Sequence, residues 1–448
     1  MTTIRNLIGT LDKFHSNHCF YETDGKNLSL TVFLHTSAVT CADCCNIISI
    51  IKSYKCHSFV ITEETLSELR YLANNKQSIF HNEAKSLIGA FYKNYIRTEE
   101  YDEFSTQSVA LVSPSLPYAK RMYKRRQKFF DYIVTCSDYN KVSVITSCDT
   151  NTASWAFESN GSVESDYVTA VADKVIYKGR KLKLSGRAVI EGGEASLYRL
   201  GRKKLIKQYR CGSMTDTKVA KLKSIMALAD DKKKVRKIMC VPSGIVTDKY
   251  GKSTGIVIPR LKKYKTFGEL MAKGMSNRKC QKLLRLYLLR IFELNLLSIV
   301  VSDVSEHNFM CHKNKVVLVD VDSFQVGKYP SGCYRQGCLT QTLHNNLKNI
   351  DVYIRGLEQD MISFCYMVFD LLVGVKPVRY RNSTEHSNFV THPFIYLNKP
   401  YFSHPQILSE ALDNWMHNLN DNQRDLFIKI FRENRYISPA EVDKMLFP

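Results

Sequence analysis

The chain has 448 residues, of which 44% are hydrophobic and 24% are charged, and its formal net charge is +21. This composition excludes an intrinsically disordered chain, and the length predicts two or three domains. The excess of cations favours a polyanionic partner, such as a nucleic acid or a nucleotide phosphate.

The sequence predicts a cytoplasmic protein with no membrane partner. The first ten residues lack a long apolar segment, and the 14 cysteines are scattered, as expected of reduced thiols. Residues 283–301 are largely apolar but include two arginines and a glutamate, so they predict a core helix. Residues 41–44 form a C-x-x-C with no second pair at zinc spacing, so we expect free thiols there.

The first 172 residues alternate between predicted strands and helices. Such alternation predicts a small parallel α/β sheet with helices on both faces. The predicted strands cover residues 28–34, 58–61 and 142–146, the predicted helices cover 42–55 and 63–74, and a long polar helical stretch is predicted up to about Tyr132.

The rest of the chain changes in character twice. Residues 173–261 are rich in strands separated by glycine turns, which predicts an antiparallel sheet. Residues 262–448 are mostly helical, so a β-rich module is followed by an α-rich module. The predicted helices cover residues 265–272, 278–297, 357–373 and 421–435.

Three polar residues in the helical part have the spacing of a phosphoryl-transfer site. Asp303 stands five residues before Asn308 on a polar loop, and Asp320 ends an apolar strand twelve residues later. This spacing suits one carboxylate beside the nucleophile, followed by an amide and a second carboxylate that hold Mg²⁺. Asp322 is an alternative metal ligand, but Asp320 directly follows the strand.

A phosphate-binding loop is predicted at Gly192 and Gly193, where backbone N–H groups can approach phosphate oxygens. Lys207 follows on an apolar strand, 14 residues past the second glycine. The alternatives are a simple hairpin turn and a solvent-exposed lysine. Ile258 and Arg260 end a later strand, where the adenine of ATP is expected to bind.

Asp360 opens an apolar helix in the sequence Gln-Asp-Met-Ile. A buried aspartate at this position is expected to brace the backbone of the loop around Asp303 through hydrogen bonds. The alternative is an ordinary acidic residue at a helix N-terminus.

Together, these stretches resemble the protein kinase superfamily, and most closely the bacterial kinase-like domains found beside phosphatase or tellurite-resistance-type genes. The resemblance covers residues 185–448. It implies a two-lobed α+β fold, with ATP and Mg²⁺ as cofactors. The matching stretches are Gly192–Tyr198, Ile206–Tyr209, Ser302–Asn308 and, most specifically, Val319–Gln325.

The sequence departs from the kinase pattern at several positions. Ile190 and Ala195 stand where glycines are expected in the phosphate loop. Residues 214–228, which should form the helix whose glutamate pairs with Lys207, contain no glutamate. Val301 and Ser302 precede Asp303, so the arginine that reads a phosphorylated activation loop is missing, and control by loop phosphorylation is not expected. No Ala-Pro-Glu-like segment follows, which puts docking of a peptide substrate in doubt.

Residues 28–172 carry a weaker resemblance to PIN-domain ribonucleases. Glu68, Asp131 and Asp149 match three acidic positions of that family, whereas His35 stands in place of the first acid. The resemblance implies a crevice for Mg²⁺ or Mn²⁺ that supports phosphodiester hydrolysis, weakened by the loss of one carboxylate. The alternative is three unrelated surface acids.

A basic run at residues 120–128 contains six cations and a tyrosine, which favours RNA contact, although a solvated helix face is equally compatible. The leading hypothesis is an ATP- and Mg²⁺-dependent protein Ser/Thr kinase fused to a degenerate PIN-like domain. The alternatives are a metal-dependent ribonuclease gated by a nucleotide-binding pseudokinase, and a non-catalytic RNA-binding scaffold.

Overall fold

The protein contains a mixed sheet, a larger antiparallel sheet and a helical unit. A computed structural model describes residues 31–34, 36, 39, 58–61, 63–93, 97–98, 109–113, 132–135, 144–146, 174–184, 188–191, 194–210, 213–331, 358–375, 377, 405–433, 435 and 437–447. No helix in these ranges is long and apolar enough to cross a lipid bilayer.

The first sheet has six strands in the order β3-β2-β1-β4-β5-β6. Strands β1 to β5 are parallel, and β6 runs antiparallel to β5. Helices α1 and α2 follow β2 in the chain, and α1 has the bounds that the sequence predicts. The elements are β1 Thr31–Leu34, β2 Ser58–Ile61, α1 Glu63–Asn74, α2 His81–Tyr92, β3 Arg97–Thr98, β4 Val109–Ser113, β5 Tyr132–Thr135 and β6 Val144–Thr146.

The prediction of a long helical stretch up to Tyr132 is wrong at residues 97–98 and 109–113, which form β3 and β4. Strand β4 lies within that stretch and pairs with β1 and β5 in the middle of the sheet. Val109–Val112 is a short continuous apolar run, a pattern that is compatible with a strand. Strand β5 occupies Tyr132–Thr135, directly after the predicted acidic position Asp131. The helix predicted over residues 42–55 lies outside the described residues.

The second sheet has seven antiparallel strands in the order β8-β7-β12-β13-β11-β10-β9. Helix α3 packs on one face through Leu222, which joins Tyr209 and Ile256 in an apolar cluster. Thr215 caps this helix by accepting a hydrogen bond from the Lys218 N–H. The elements are β7 Lys174–Tyr177, β8 Arg180–Lys183, β9 Ile190–Glu191, β10 Ala195–Leu200, β11 Lys204–Tyr209, α3 Asp216–Asp231, β12 Gly244–Thr247 and β13 Ser253–Pro259.

The helical unit is built around α5, whose inner face is almost entirely buried. Two of the predicted helices need correction, because residues 265–266 form a strand and the helix that starts at Asp421 ends at Phe427, before a π-helical turn at Ile428–Arg432. The elements are β14 Lys265–Thr266, α4 Phe267–Ala272, α5 Asn277–Leu296, β15 Ile299–Val300, β16 Phe309–His312, β17 Lys315–Leu318, β18 Gln325–Val326, α6 Glu358–Val373, α7 Pro405–Asp413, α8 Asp421–Phe427 and α9 Pro439–Leu446.

The turn between α1 and α2 docks onto α5 through a buried ion pair. Glu293 is fully buried, pairs with Arg290 one turn earlier, and accepts a hydrogen bond from the Ile79 N–H at 2.6 Å. Arg290 in turn donates to the Gln77 carbonyl at 3.1 Å. Burial raises the pKa of Glu293, although Arg290 opposes the shift. One ion pair therefore satisfies backbone groups of a segment more than 200 residues away in sequence.

Further contacts join the same helical hairpin to the rest of the molecule. Tyr71 of α1 lies against Phe292 of α5, with ring centroids 6.2 Å apart. Lys234 donates to the Ile79 carbonyl at 3.1 Å and pairs with Glu83 at 2.8 Å. The apolar residues of α1 and α2 belong to the same continuous core as those of α5.

We expect Glu293→Ala to lower the free energy of unfolding by about 3 to 5 kcal/mol, because it leaves the Arg290 guanidinium buried without its partner. Urea unfolding followed by circular dichroism measures this loss. The matched control is Gln281→Ala on the exposed face of the same helix. Equal unfolding midpoints for the two variants would contradict the role assigned to the ion pair.

Candidate functional site

Asp360 fixes the start of the loop that carries Asp303. Its carboxylate is fully buried and accepts hydrogen bonds from the Val301 and Ser302 N–H groups at 2.7 and 2.8 Å. It also accepts a hydrogen bond from the Asn295 amide at 2.8 Å. The predicted brace is thus confirmed, and it ties α6 to both α5 and the loop.

Asp303 and Asn308 close this loop on each other. The Asn308 amide nitrogen donates to the Asp303 carbonyl at 2.9 Å and to its carboxylate at 2.8 Å. The Val319 N–H donates to the Asn308 carbonyl at 3.0 Å. Because Val319 precedes Asp320, the backbone itself brings the amide and the second carboxylate to neighbouring positions.

The strand after Asn308 is anchored in the aromatic core. Phe309 is fully buried and stacks on Tyr287 of α5, with ring centroids 3.8 Å apart. Phe267 also stacks on the Phe309 ring, with ring centroids 4.8 Å apart. Asn308 is therefore attached to a buried aromatic stack of the helical unit.

Lys207 reaches from the antiparallel sheet to the residues that follow β17. Its ammonium donates to Asp320 and to both carboxylate oxygens of Asp322, at 2.8 and 2.9 Å for the latter. The side chain of Asp322 is 3% exposed, whereas that of Asp320 is 40% exposed. Asp322 thus provides a buried, bidentate contact, and Asp320 presents part of its carboxylate to solvent.

The charges in this cluster shift the pKa values of the two aspartates in opposite directions. Burial alone lowers the pKa of Lys207, but Asp322 and Asp320 outweigh it and raise the pKa overall. Burial and the repulsion of Asp322 raise the pKa of Asp320. Burial also disfavours the charged form of Asp322, yet its contacts with Lys207 hold its pKa below the usual range. Lys207 therefore favours the ionised form of Asp322 more than that of Asp320.

Helix α3 faces the cluster with cations instead of a glutamate. Lys218 pairs with Glu194, which directly follows the predicted phosphate loop. The ring of Tyr209 lies under both ammonium groups, with its centroid 5.3 Å from Lys207 Nζ and 4.8 Å from Lys218 Nζ. Lys221 is buried and donates to the Pro330 carbonyl at 3.2 Å. The counter-ion of Lys207 therefore comes from the segment after β17.

Two non-glycine residues at the site adopt left-handed backbone conformations. Ser302 has φ +66° and Asp320 has φ +60°, conformations that cost about 1 kcal/mol or more each. Asp360 holds the Ser302 N–H, and the Asp320 carbonyl accepts hydrogen bonds from the Ser323 hydroxyl and N–H at 2.7 and 3.0 Å. Local hydrogen bonds thus hold the backbone in conformations that aim Asp303 and Asp320.

The remaining predicted nucleotide-binding residues lie at different places on the antiparallel sheet. Gly192 and Gly193 lie outside the described residues, between the paired strands β9 and β10. Ile258 is half-buried on β13, on the same face as Lys207, and joins the apolar cluster under α3. Arg260 follows β13, and its N–H donates to the Lys203 carbonyl at 2.8 Å.

The predicted acidic crevice of the first sheet is described at one residue only. Glu68 is 3% exposed and accepts a hydrogen bond from the Thr36 hydroxyl, two residues after β1. Asp131, Asp149, His35 and the basic run at residues 120–128 lie outside the described residues. A buried, hydrogen-bonded carboxylate fits a structural role for Glu68 at the carboxyl end of β1.

The residues around Asp303 have the donor set that a hard cation prefers. Asp320 is part-exposed, and the Asn308 amide oxygen accepts no hydrogen bond within the part of the chain that the structure describes. Oxygen ligands of this kind fit Mg²⁺, which keeps part of its shell for water and phosphate. No group of three or more His, Cys, Asp or Glu side chains forms a protein-only metal cage among the described residues.

The structure brings the predicted residues Lys207, Asp303, Asn308 and Asp320 near one another. Asp322 was predicted from the sequence only as an alternative metal ligand, and its pairing with Lys207 was not predicted. The available signal was the absence of a glutamate in residues 214–228, which required a different anion. Nothing in the sequence indicated the contacts between Tyr209 and the two lysines or the ion pair between Lys218 and Glu194, because both depend on how α3 packs against the sheet.

No protein-family model matches this chain, and a comparison with curated proteins finds no match. The chemistry of the site must therefore be argued from its own residues.

We expect Asp360→Ala to loosen the loop at Val301 and Ser302. Their amides and the Asn295 side chain would lose a buried acceptor, at a cost of about 1 to 3 kcal/mol for each unsatisfied group. Hydrogen exchange of peptides covering residues 299–304 should become about ten- to hundredfold faster. The control is Asp413→Ala, an exposed helix residue. Unchanged protection of this segment in Asp360→Ala would disprove the brace.

Proposed function

We propose that the protein is an ATP- and Mg²⁺-dependent phosphotransferase that acts on a hydroxyl group of a protein. The observation that supports this most is the meeting of Lys207 with Asp320 and Asp322, next to the loop of Asp303 and Asn308. Lys207 lies on the antiparallel sheet, and the two aspartates lie on the helical unit, more than 100 residues later in the sequence. Phosphoryl transfer depends on placing such charges around a triphosphate.

Each residue has a role that follows from its surroundings. Asp303 lies on the braced loop and would orient the attacking hydroxyl and accept its proton. Asn308 and Asp320 would hold Mg²⁺ through oxygen atoms. Bound Mg²⁺ would neutralise the charge that develops on the phosphate oxygens.

Lys207 would bind the phosphates of ATP. Its ammonium is mostly buried, and the two aspartates keep it protonated. Asp322 stays in contact with it through two oxygens, so the ammonium is aimed even though α3 offers no glutamate. Gly192 and Gly193, between β9 and β10, would supply backbone N–H groups, and Ile258 would supply an apolar surface for the base.

The protein substrate follows only from the kinase resemblance, in which the hydroxyl acceptor is a serine or threonine. Control by phosphorylation of an activation loop is not part of the proposal, because Val301 and Ser302 stand in place of the arginine that such control needs. The nuclease alternative has less support, because Glu68 is buried and bonded to Thr36.

We expect Asp303→Ala to reduce phosphate transfer from labelled ATP by at least about a hundredfold, the usual contribution of a positioned general base. Binding of ATP in the presence of Mg²⁺ should stay within a few-fold of wild type, because Lys207, Asn308 and Asp320 remain. Transfer is measured as labelled phosphate on the protein itself and on a generic protein acceptor, and binding is measured by calorimetry.

The control for this experiment is Asp231→Ala, which removes an exposed carboxylate at the end of α3. It changes the net charge of the protein by the same amount as Asp303→Ala. Its transfer rate should equal that of wild type. Equal transfer by Asp303→Ala and wild type would remove Asp303 from the reaction. Absence of ATP binding in the wild-type protein, with any divalent cation, would overturn the proposed function as a whole.

A further inference from the structure

One end of the antiparallel sheet carries a concentration of exposed cations that the phosphotransferase site does not use. Strands β10 and β11 are joined there by the turn at residues 201–203, and β7 and β8 by the turn at residues 178–179. Lys204 pairs with Pro259, so β13 ends at the same place. Strand β12 is antiparallel to both β13 and β7, so β7 runs in the same direction as β13 and ends on this side of the sheet as well.

Side-chain and backbone contacts show that these segments meet. The ring of Tyr177 has the ammonium groups of Lys178 and Lys204 at 5.7 and 5.9 Å from its centroid. The Arg260 N–H donates to the Lys203 carbonyl at 2.8 Å. The basic end of the sheet is defined by the cations of these segments that the phosphotransferase site does not use: Lys178, Arg180, Arg202, Lys203, Lys204, Lys262 and Lys263.

The charge of this surface is uncompensated. The segments 178–181, 201–204 and 262–263 contain three, three and two cations and no aspartate or glutamate. Within the described residues, no ion pair engages Lys178, Arg202 or Lys203. A group of exposed like charges is unfavourable in isolation and favours an anionic partner.

The basic end is distinct from the site of Lys207. Successive side chains of a strand point to opposite faces, so Lys204 and Ile206 lie on one face of β11 and Lys207 on the other. Ile206 belongs to the cluster that contains Tyr177, whereas Tyr209 belongs to the cluster under α3. ATP bound at Lys207 would therefore leave the basic end free.

The dimensions of the surface favour an extended polyanion. Strands β7 and β11 are separated by β12 and β13, so their turns span about 14 Å at about 4.8 Å per strand. One phosphate group cannot contact cations along that length, but a nucleic-acid backbone presents a phosphate every few ångströms.

The basic end lacks the apolar side chains that would insert into a membrane. Lys178, Gly179 and Arg180 at one turn, and Gly201, Arg202 and Lys203 at the other, are all exposed and polar or small. The exposed large apolar residues of the described chain lie elsewhere, at Tyr92, Val189, Ile190, Tyr250, Leu372, Ile407 and Met416. Attraction to phosphates without apolar insertion is typical of nucleic-acid binding.

We propose that the basic end of the antiparallel sheet binds the phosphate backbone of RNA, on a face separate from the nucleotide site. Binding should be electrostatic and without sequence preference, because phosphate contacts carry no base information. The affinity should therefore fall steeply with salt.

The test compares two triple variants of the full chain that remove the same charge. Lys178→Gln/Arg202→Gln/Lys203→Gln neutralises the basic end, and Lys223→Gln/Lys249→Gln/Lys252→Gln neutralises three exposed lysines elsewhere on the same unit. The probe is fluorescein-labelled oligo(U) of about 20 nucleotides, and anisotropy is measured from about 50 to about 200 mM KCl. Vesicles of phosphatidylserine and phosphatidylcholine serve as the lipid comparison.

The basic-end variant should bind more weakly. A plot of log affinity against log salt has a negative slope, and its magnitude should fall by about 2, or about 0.7 for each of the three phosphate contacts removed. The control variant should keep most of the wild-type slope. Equal losses in both variants would show a net-charge effect only and overturn the proposal, as would absence of RNA binding or a defect confined to vesicles. Phosphate transfer by the basic-end variant should be unchanged, which separates this test from that of the phosphotransferase site.

Discussion

The contact between Lys207 and the two aspartates after β17 joins the two halves of the site. The ammonium comes from a strand of the antiparallel sheet, and the carboxylates come from a segment attached to the aromatic core of the helical unit. A largely buried ammonium is unfavourable unless it is paired, and here the carboxylates more than compensate for burial. The geometry proposed for phosphoryl transfer depends on this contact.

The rest of the helical unit keeps the carboxylate side of that contact in place. Asp360 binds the backbone of the two residues that precede Asp303. Phe309, the residue after Asn308, packs in the aromatic stack. Helix α5 contributes to both, and Glu293 on its opposite side binds the turn between α1 and α2. The first part of the chain is therefore attached to the same helix that leads to the loop.

The proximity of Asp303, Asn308 and Asp320 was predictable because these residues are close together in the sequence. The loop from Asp303 to Asn308 and the strand before Asp320 form one hairpin-linked segment, so their separation in sequence reflects their separation in space. The pairing of Lys207 with Asp322 was not predictable in the same way, since it depends on how two distant units pack. Strand β4 was missed for a different reason, because its short apolar run carries no helical or alternating pattern that distinguishes it.

A double-mutant cycle between Lys207 and Asp322 tests the central contact most directly. Lys207→Met and Asp322→Asn are made singly and together, and the free energy of unfolding of each is measured in urea. Direct contact predicts that the two losses are not additive, with a coupling energy of about 1 to 3 kcal/mol. Additive losses, within about 0.3 kcal/mol, would show that the ammonium and the carboxylate do not meet, and would contradict the account of the site.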